Sequence, residues 1–209
     1  MVKANLEEPS TSHSDHCRTY RAYGIAAYSK GAIFLHQLSY ILGEETFFKG
    51  MLRYFNTWKF KHPTPRDFKR VMEKESGLEL DWYFEHWIGT TNTIDYGIET
   101  VVGKGDKTEI TLRRVGNMPM PLDVMVEING TQTVGFNIPL RMMRGARASD
   151  SFFPGMKYEI LEDWPWTHST YTFTVDVPVS SVSRVIIDGS ERMADVDNYN
   201  NSFPRVSIP

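Results

Sequence analysis

The hydrophobic pattern of this chain changes its period near residues 90–95. Before that point, apolar side chains recur at three- and four-residue steps, which is typical of amphipathic helices. From Tyr96 onward the chain is enriched in β-branched residues with partial alternation, which is typical of half-buried strands. Helices followed by strands, without interleaving, favour an α+β fold. We therefore predict a helical subdomain over residues 1–92 and a small antiparallel β-sandwich, ending in an irregular tail, over residues 93–209.

Local signals place the helices within the first segment. The stretch from Tyr28 to Leu42 has helical spacing, and Gly43 supplies a stop. Thr64 followed by Pro65 indicates a capped helix start. A second helix is predicted over residues 44–58, and its buried side is formed by Phe47, Met51, Tyr54 and Phe55. The helix that starts after Thr64 is predicted to end at Gly77, and a fourth, short helix is predicted to start at Asp81.

The second segment contains the strongest turn signal of the chain. Asn129-Gly130 separates two strand-like runs, and both positions of such a turn need a positive φ angle. Strands are predicted over 96–102, 108–114, 122–128, 131–138, 171–177 and 184–187. The run from Arg141 to Trp166 predicts a long loop with one more strand.

Composition excludes several classes of function. The formal net charge of −3 offers no basic surface for nucleic acid. No apolar run approaches the ~20 residues that a membrane-spanning helix needs. The single cysteine, Cys17, excludes an internal disulfide and leaves the cellular compartment open.

Several short motifs in the first segment resemble, in their order and spacing, one family of peptidases. They are Tyr28-x-Lys30-Gly31, Leu42-Gly43-Glu44-Glu45-x-Phe47, Leu52-x-Tyr54-Phe55, Pro63-Thr64-x-x-Asp67-Phe68 and Ser76-Gly77-x-x-Leu80-x-Trp82-Tyr83-Phe84-x-x-Trp87-Ile88. Over residues 20–95 the chain is similar to the C-terminal portion of an aminopeptidase N-type zinc metallopeptidase, a gluzincin aminopeptidase. The resemblance implies that the helices are the rear part of a thermolysin-like catalytic domain.

The same resemblance implies one catalytic residue. In that family zinc, held by an H-E-x-x-H helix and a distant glutamate, activates water for hydrolysis of N-terminal peptide bonds. Tyr28 matches the tyrosine that donates a hydrogen bond to the oxyanion formed after water attack. The alternative is that Tyr28 is an ordinary half-buried aromatic residue.

The zinc-binding residues of the family are absent from this sequence. It has no H-E-x-x-H motif, and no two of its six histidines lie four residues apart. We therefore expect no metal ligand in this chain, zinc ligands elsewhere in a parent enzyme, and no activity from the chain alone. The expected partners are the missing N-terminal and catalytic regions and a peptide substrate.

Two other polar features admit functional readings. Residues 13–17 (His-Ser-Asp-His-Cys) bring together side chains that bind zinc, but structural zinc sites draw ligands from two separated pairs and no second pair is evident. We interpret this run as a polar segment bordering the cleft before Tyr28. Lys30 is expected to pair locally near the helix start rather than to bind substrate.

A second hypothesis makes the whole chain a non-catalytic module that descends from a peptidase and binds peptides or protein surfaces. It predicts a self-contained fold that does not depend on zinc. An unrelated hydrolase is not supported, because the sequence contains neither a Gly-x-Ser-x-Gly motif nor a cysteine with a recognisable histidine partner.

Overall fold

The chain divides into two compact units, one helical and one built of strands. The computed structural model describes residues 7–147 and 158–205. Within these ranges the first unit comprises residues 7–92 with 142–147, and the second contains the rest. The predicted α+β class is confirmed. No helix among the described residues is long and apolar enough to span a bilayer.

The described part of the first unit contains five α-helices and short helical turns. The α-helices are α1 (Tyr20–Gly24), α2 (Lys30–Leu42), α3 (Glu44–Trp58), α4 (Pro65–Ser76) and α5 (Asp81–Gly89). A 3₁₀ turn covers Ser14–His16, and a π-helical turn over Ile25–Ser29 joins α1 to α2.

Helix ends follow the local signals. Gly43, at φ 80°, separates α2 from α3, and Gly77, at φ 73°, ends α4. In the first turn of α4, the Asp67 carboxylate accepts hydrogen bonds from the backbone N–H (2.8 Å) and the hydroxyl (2.7 Å) of Thr64. These bonds lower the pKa of Asp67. The predicted start of α4 after Thr64 is confirmed.

An aromatic cluster forms the core of the helical unit. The rings of Phe34 and Tyr83 stack with 5.0 Å between centroids, and Phe84 meets Phe34 edge-on at 5.1 Å. Trp82 and Trp87 are also buried, as aromatic residues at helical spacing predict. The prediction for α3 is partly wrong, because Phe47 is buried whereas Phe55 is 61% exposed.

The described residues of the second unit form eight strands in two sheets. They are β1 (Tyr96–Lys104), β2 (Lys107–Arg114), β3 (Leu122–Ile128), β4 (Gln132–Ile138), β5 (Tyr158–Ile160), β6 (Thr170–Val175), β7 (Val182–Ile187) and β8 (Ser202–Phe203). One sheet has the order β1-β2-β6 and the other β5-β4-β3-β7-β8.

Pairing within the sheets is antiparallel except at one edge. The hairpin β3–β4 turns at Asn129 and Gly130, with φ angles of 51° and 67°, as the sequence predicts. β5 runs parallel to β4, so this strand departs from the predicted antiparallel arrangement. Part of the loop predicted over 141–166 lies outside the described residues.

The two sheets contact each other through aromatic side chains. Phe136 of β4 lies 5.2 Å from Phe173 of β6 between ring centroids. Trp164 is 2% exposed and packs against Tyr96 and Tyr171 at 5.6 and 5.3 Å. Its buried indole N–H donates to the carbonyl of His168 (2.9 Å).

The C-terminal acidic segment is attached to the sandwich by hydrogen bonds. The Asp195 carboxylate accepts from the backbone N–H of Tyr96 (3.0 Å), and Val196 N–H donates to the carbonyl of Ile94 (3.0 Å). Burial raises the pKa of Asp195. The Asp195 carboxylate therefore acts as an acceptor for the start of β1.

Candidate functional site

Tyr28 lies within a continuous helical path that runs from Tyr20 to Leu42. The hydroxyl of Thr19 caps its start by accepting the Ala22 N–H (3.0 Å). The sequence pattern predicts a helix that begins at Tyr28. That start is wrong, because the residues before Tyr28 are already helical.

A single π-helical turn interrupts this path at Tyr28. Over Ile25–Ser29 the chain takes one wider turn, and the N–H of Lys30 bonds to the carbonyl of Ile25. The buried positions Ala22, Ala26, Lys30 and Phe34 follow one another at steps of four. A regular α-helix has 3.6 residues per turn, so this turn keeps them on one face. Single π turns within α-helices are frequent at functional sites.

The side chain of Tyr28 points away from the core of its unit. It is 71% exposed, and its neighbours Ala27 and Ser29 are exposed too. Tyr28 is therefore accessible in this chain, and its catalytic role stays a prediction. A tyrosine hydroxyl held in the open can donate a hydrogen bond to a bound ligand.

Lys30 fixes the end of the π turn against the last turn of α5. Its ammonium group donates to the carbonyl of Thr90 (2.7 Å), and its own carbonyl accepts the indole N–H of Trp87 (3.2 Å). The side chain is 8% exposed, and burial lowers its pKa, partly opposed by the nearby Glu7 carboxylate. The expected local pairing is therefore wrong, because the partner is 60 residues away in sequence.

The segment before α1 packs beside the same turn. Ser10 donates from its hydroxyl to the carbonyl of Ala26 (3.1 Å), and Thr11 N–H donates to the carbonyl of Ile88 (3.1 Å). The carboxylate of Glu8 accepts the backbone N–H of Arg18 (2.8 Å) and its guanidinium Nε–H (3.3 Å). These bonds tie residues 8–18 to the helix that carries Tyr28.

In the structure, residues 13–17 do not bring three possible metal ligands together. The rings of His13 and His16 are 5.6 Å apart between centroids and both are exposed. Desolvation and the Glu8 carboxylate raise the pKa of the Cys17 thiol. Nowhere in residues 7–147 and 158–205 do three His, Cys, Asp or Glu side chains group to hold a metal ion.

A separate cavity of about 280 Å³ lies in the β unit between β7 and the C-terminal segment. Asp188 and Tyr199 are among its lining residues. The Asp188 carboxylate accepts from the Ser190 hydroxyl (2.6 Å) and the Met193 N–H (2.5 Å), and burial raises its pKa. Both hydrogen-bond donors to the Asp188 carboxylate are therefore near neighbours in the same segment of the chain.

Neither the π turn nor the burial of Lys30 is predicted by the sequence patterns described above. Four-residue steps at positions 22, 26, 30 and 34 carried the signal, since they exceed the period of an α-helix. The third of these positions is a lysine, a residue type that is almost never fully buried, so the four positions do not look like one buried face in the sequence.

Comparison with known proteins shows which family the helical segment is similar to. Residues 4–87 match the Peptidase family M1 domain. The probable aminopeptidase 2 of Sulfurisphaera tokodaii is 30% identical over 110 residues, which are 50% of this chain and 14% of that protein. Aminopeptidase N of Escherichia coli is 29% identical over 128 residues, 57% of this chain and 14% of the relative.

The fold has a counterpart among solved structures. The crystal structure of Legionella pneumophila aminopeptidase A in complex with aspartic acid superposes with a TM-score of 0.58 at 14% identity. The match covers 84% of this chain and 18% of that one. The resemblance to aminopeptidase N-type peptidases is confirmed, and the chain spans about a seventh of the length of the first curated relatives it matches.

Proposed function

We propose, on the premise of the similarity to the peptidase family M1 domain, that this chain is part of a zinc-dependent aminopeptidase. In that enzyme it supplies one wall of the substrate cleft and the residue that stabilises the oxyanion, Tyr28. The observation that carries the proposal is the exposed Tyr28 side chain on a π turn within the matched segment.

The chemistry required of Tyr28 is donation of one hydrogen bond. Attack of water on a peptide carbonyl places negative charge on the carbonyl oxygen, and a donor aimed at that oxygen stabilises the transition state more than the ground state. A neutral phenol needs no proton transfer for this role. Its attachment to a helical turn sets the direction of the Cα–Cβ bond before substrate binds.

The metal of such an enzyme does not fit the residues present here. No grouping of potential ligands is found among the described residues, and the sequence contains no H-E-x-x-H motif. We propose that the zinc ligands belong to other segments of the parent enzyme. The isolated chain is then expected to have no peptidase activity.

An exposed apolar stripe on α3 supports a role within a larger protein. Phe48, Leu52 and Phe55, spaced four and three residues apart, are 65%, 63% and 61% exposed. Contiguous apolar surface of this kind marks a contact with further protein more often than with solvent. A self-contained binding module, the second hypothesis, would have less reason to expose it.

The decisive experiment replaces Tyr28 by Phe in the full-length protein. Losing one such donor should lower kcat towards an amino-acid 4-nitroanilide by about 10²–10³-fold. KM should change little, because the bond forms only in the transition state. Tyr20→Phe is the matched control, since Tyr20 is 90% exposed and lies on the same helical path. A Tyr28→Phe enzyme with the kcat of the wild type would refute the role of Tyr28, whereas a full-length wild-type protein without peptidase activity would favour the binding module.

A further inference from the structure

Lys30 is unusual among the lysines that the structure describes because its side chain is buried. Residues Ala22, Ala26 and Phe34 occupy the same face of the helix and are also buried. Burying an ammonium group costs free energy unless it is compensated. If position 30 merely filled the core, an apolar side chain would do so at lower cost.

The carbonyl that Lys30 binds lies just beyond the end of α5. The carbonyl groups at a helix C-terminus carry partial negative charge and lack partners within the helix. The ammonium group donates to the carbonyl of Thr90 at 2.7 Å. Thr90 is held in turn by its hydroxyl, which donates to the carbonyl of His86 (2.6 Å). Lys30 therefore has a fixed acceptor.

Two bonds hold the π turn at its C-terminal end. The side chain of Lys30 contacts Thr90, and the carbonyl of Lys30 accepts from Trp87, which is itself buried. The N–H of Lys30 closes the wide turn by bonding to Ile25. Tyr28 lies inside that turn, two residues before Lys30. The direction of the Tyr28 side chain thus depends on where Lys30 is fixed.

We infer that Lys30 is a positioning residue that locks the π turn and so aims the Tyr28 hydroxyl at the reacting carbonyl group. This inference rests on the proposed function. Lys30 itself points into the core and does not contact substrate. Its effect on turnover is transmitted entirely through Tyr28.

The test is a double-mutant cycle in the full-length protein with Lys30→Met and Tyr28→Phe. Methionine keeps an unbranched buried side chain and removes the ammonium donor. A misplacement of about 1 Å can cost about 10²-fold in rate, so Lys30→Met should lower kcat by about 10–100-fold with KM within about two-fold. In the Tyr28→Phe background the same change should have no further effect, because the group it positions is already lost.

A matched control separates positioning from loss of stability. Lys69 of α4 is partly buried and forms an ion pair with Asp81. Lys69→Met also removes a packed lysine from the helical unit, and kcat should stay at the wild-type value. A second readout is amide hydrogen exchange of Tyr28 and Ser29, which should accelerate at least about five-fold in Lys30→Met and remain unchanged in Lys69→Met.

The outcomes separate the two ideas. If Tyr28→Phe lowers kcat but Lys30→Met does not, or if the two losses multiply in the double variant, the inference is wrong and the proposed function stands. Unchanged exchange at Tyr28 and Ser29 in Lys30→Met would also contradict it. A wild-type kcat in Tyr28→Phe overturns the proposed role of Tyr28, and the inference with it.

Discussion

Replacing Gly116 by Ala tests the close packing at the start of the β unit. A Cβ atom at this position would lie 2.3 Å from the carbonyl oxygen of Thr93 and 2.6 Å from the backbone nitrogen of Asp95. Both neighbours are backbone atoms, so no side-chain rotation can relieve the overlap. The two chain segments must separate.

The cost follows from the bonds that hold these segments together. Gly116 N–H donates to the carbonyl of Asp95 (2.9 Å), and Met118 N–H donates to the carbonyl of Thr93 (3.1 Å). Overpacking typically costs about 1–3 kcal/mol, and each weakened hydrogen bond about 0.5–1.5 kcal/mol. We expect Gly116→Ala to destabilise the β unit by about 3 kcal/mol, a fall in Tm of roughly 10–25 °C.

Urea denaturation with pulsed hydrogen exchange and mass spectrometry measures this loss for each unit separately. Peptides covering β1 to β3 report the β unit, and peptides from α3 and α4 report the helical unit. Val115→Ala is the matched control, because the adjacent Val115 side chain is 54% exposed and should change stability by less than about 0.5 kcal/mol. Equal urea midpoints for Gly116→Ala and the wild type would show that the close approach is not present in solution.

Two further predictions concern tyrosines. Tyr83→Phe removes the hydrogen bond from the buried Tyr83 hydroxyl to the carbonyl of Phe34 (2.6 Å), so the helical unit should lose about 1 kcal/mol in urea denaturation, and no change would contradict the bond. Burial, reinforced by the Glu162 and Asp163 carboxylates, raises the pKa of Tyr171 to about 12. Because the folded pKa exceeds the ordinary value of about 10, stability should be full below pH 10 and fall between pH 10 and 12. Urea midpoints should decline less over that range in Tyr171→Phe, and equal declines would refute the shift.

The sequence alone was sufficient wherever local interactions decide the structure. Helix α3 spans Glu44–Trp58 and strand β3 spans Leu122–Ile128, as their periodicity predicts. The hairpin turn at Asn129-Gly130 and the start of α4 after Thr64 were also predictable, because turn geometry and capping depend on a few adjacent residues.

Tyr28 shows how much of the candidate site could be recognised from the sequence. Its motif and spacing singled out the residue, but its role in catalysis stays a prediction. The sequence did not predict the π turn that carries it, because a helix of 3.6-residue period and one with a single wider turn differ by one residue. Only the buried positions, from Ala22 to Phe34, distinguish the two.

Tertiary contacts decided the remaining features. The buried ammonium group of Lys30 donates a hydrogen bond to the carbonyl of Thr90, 60 residues away, and no local sequence pattern indicates that partner. β5 pairs in parallel with β4, and Asp195 binds the N–H of Tyr96, through similarly distant contacts. The sequence determines which segments become helices and strands, since that follows from short-range propensity and hydrophobic period. Whether a buried polar group is hydrogen-bonded depends on a partner that only the folded chain brings within hydrogen-bond distance.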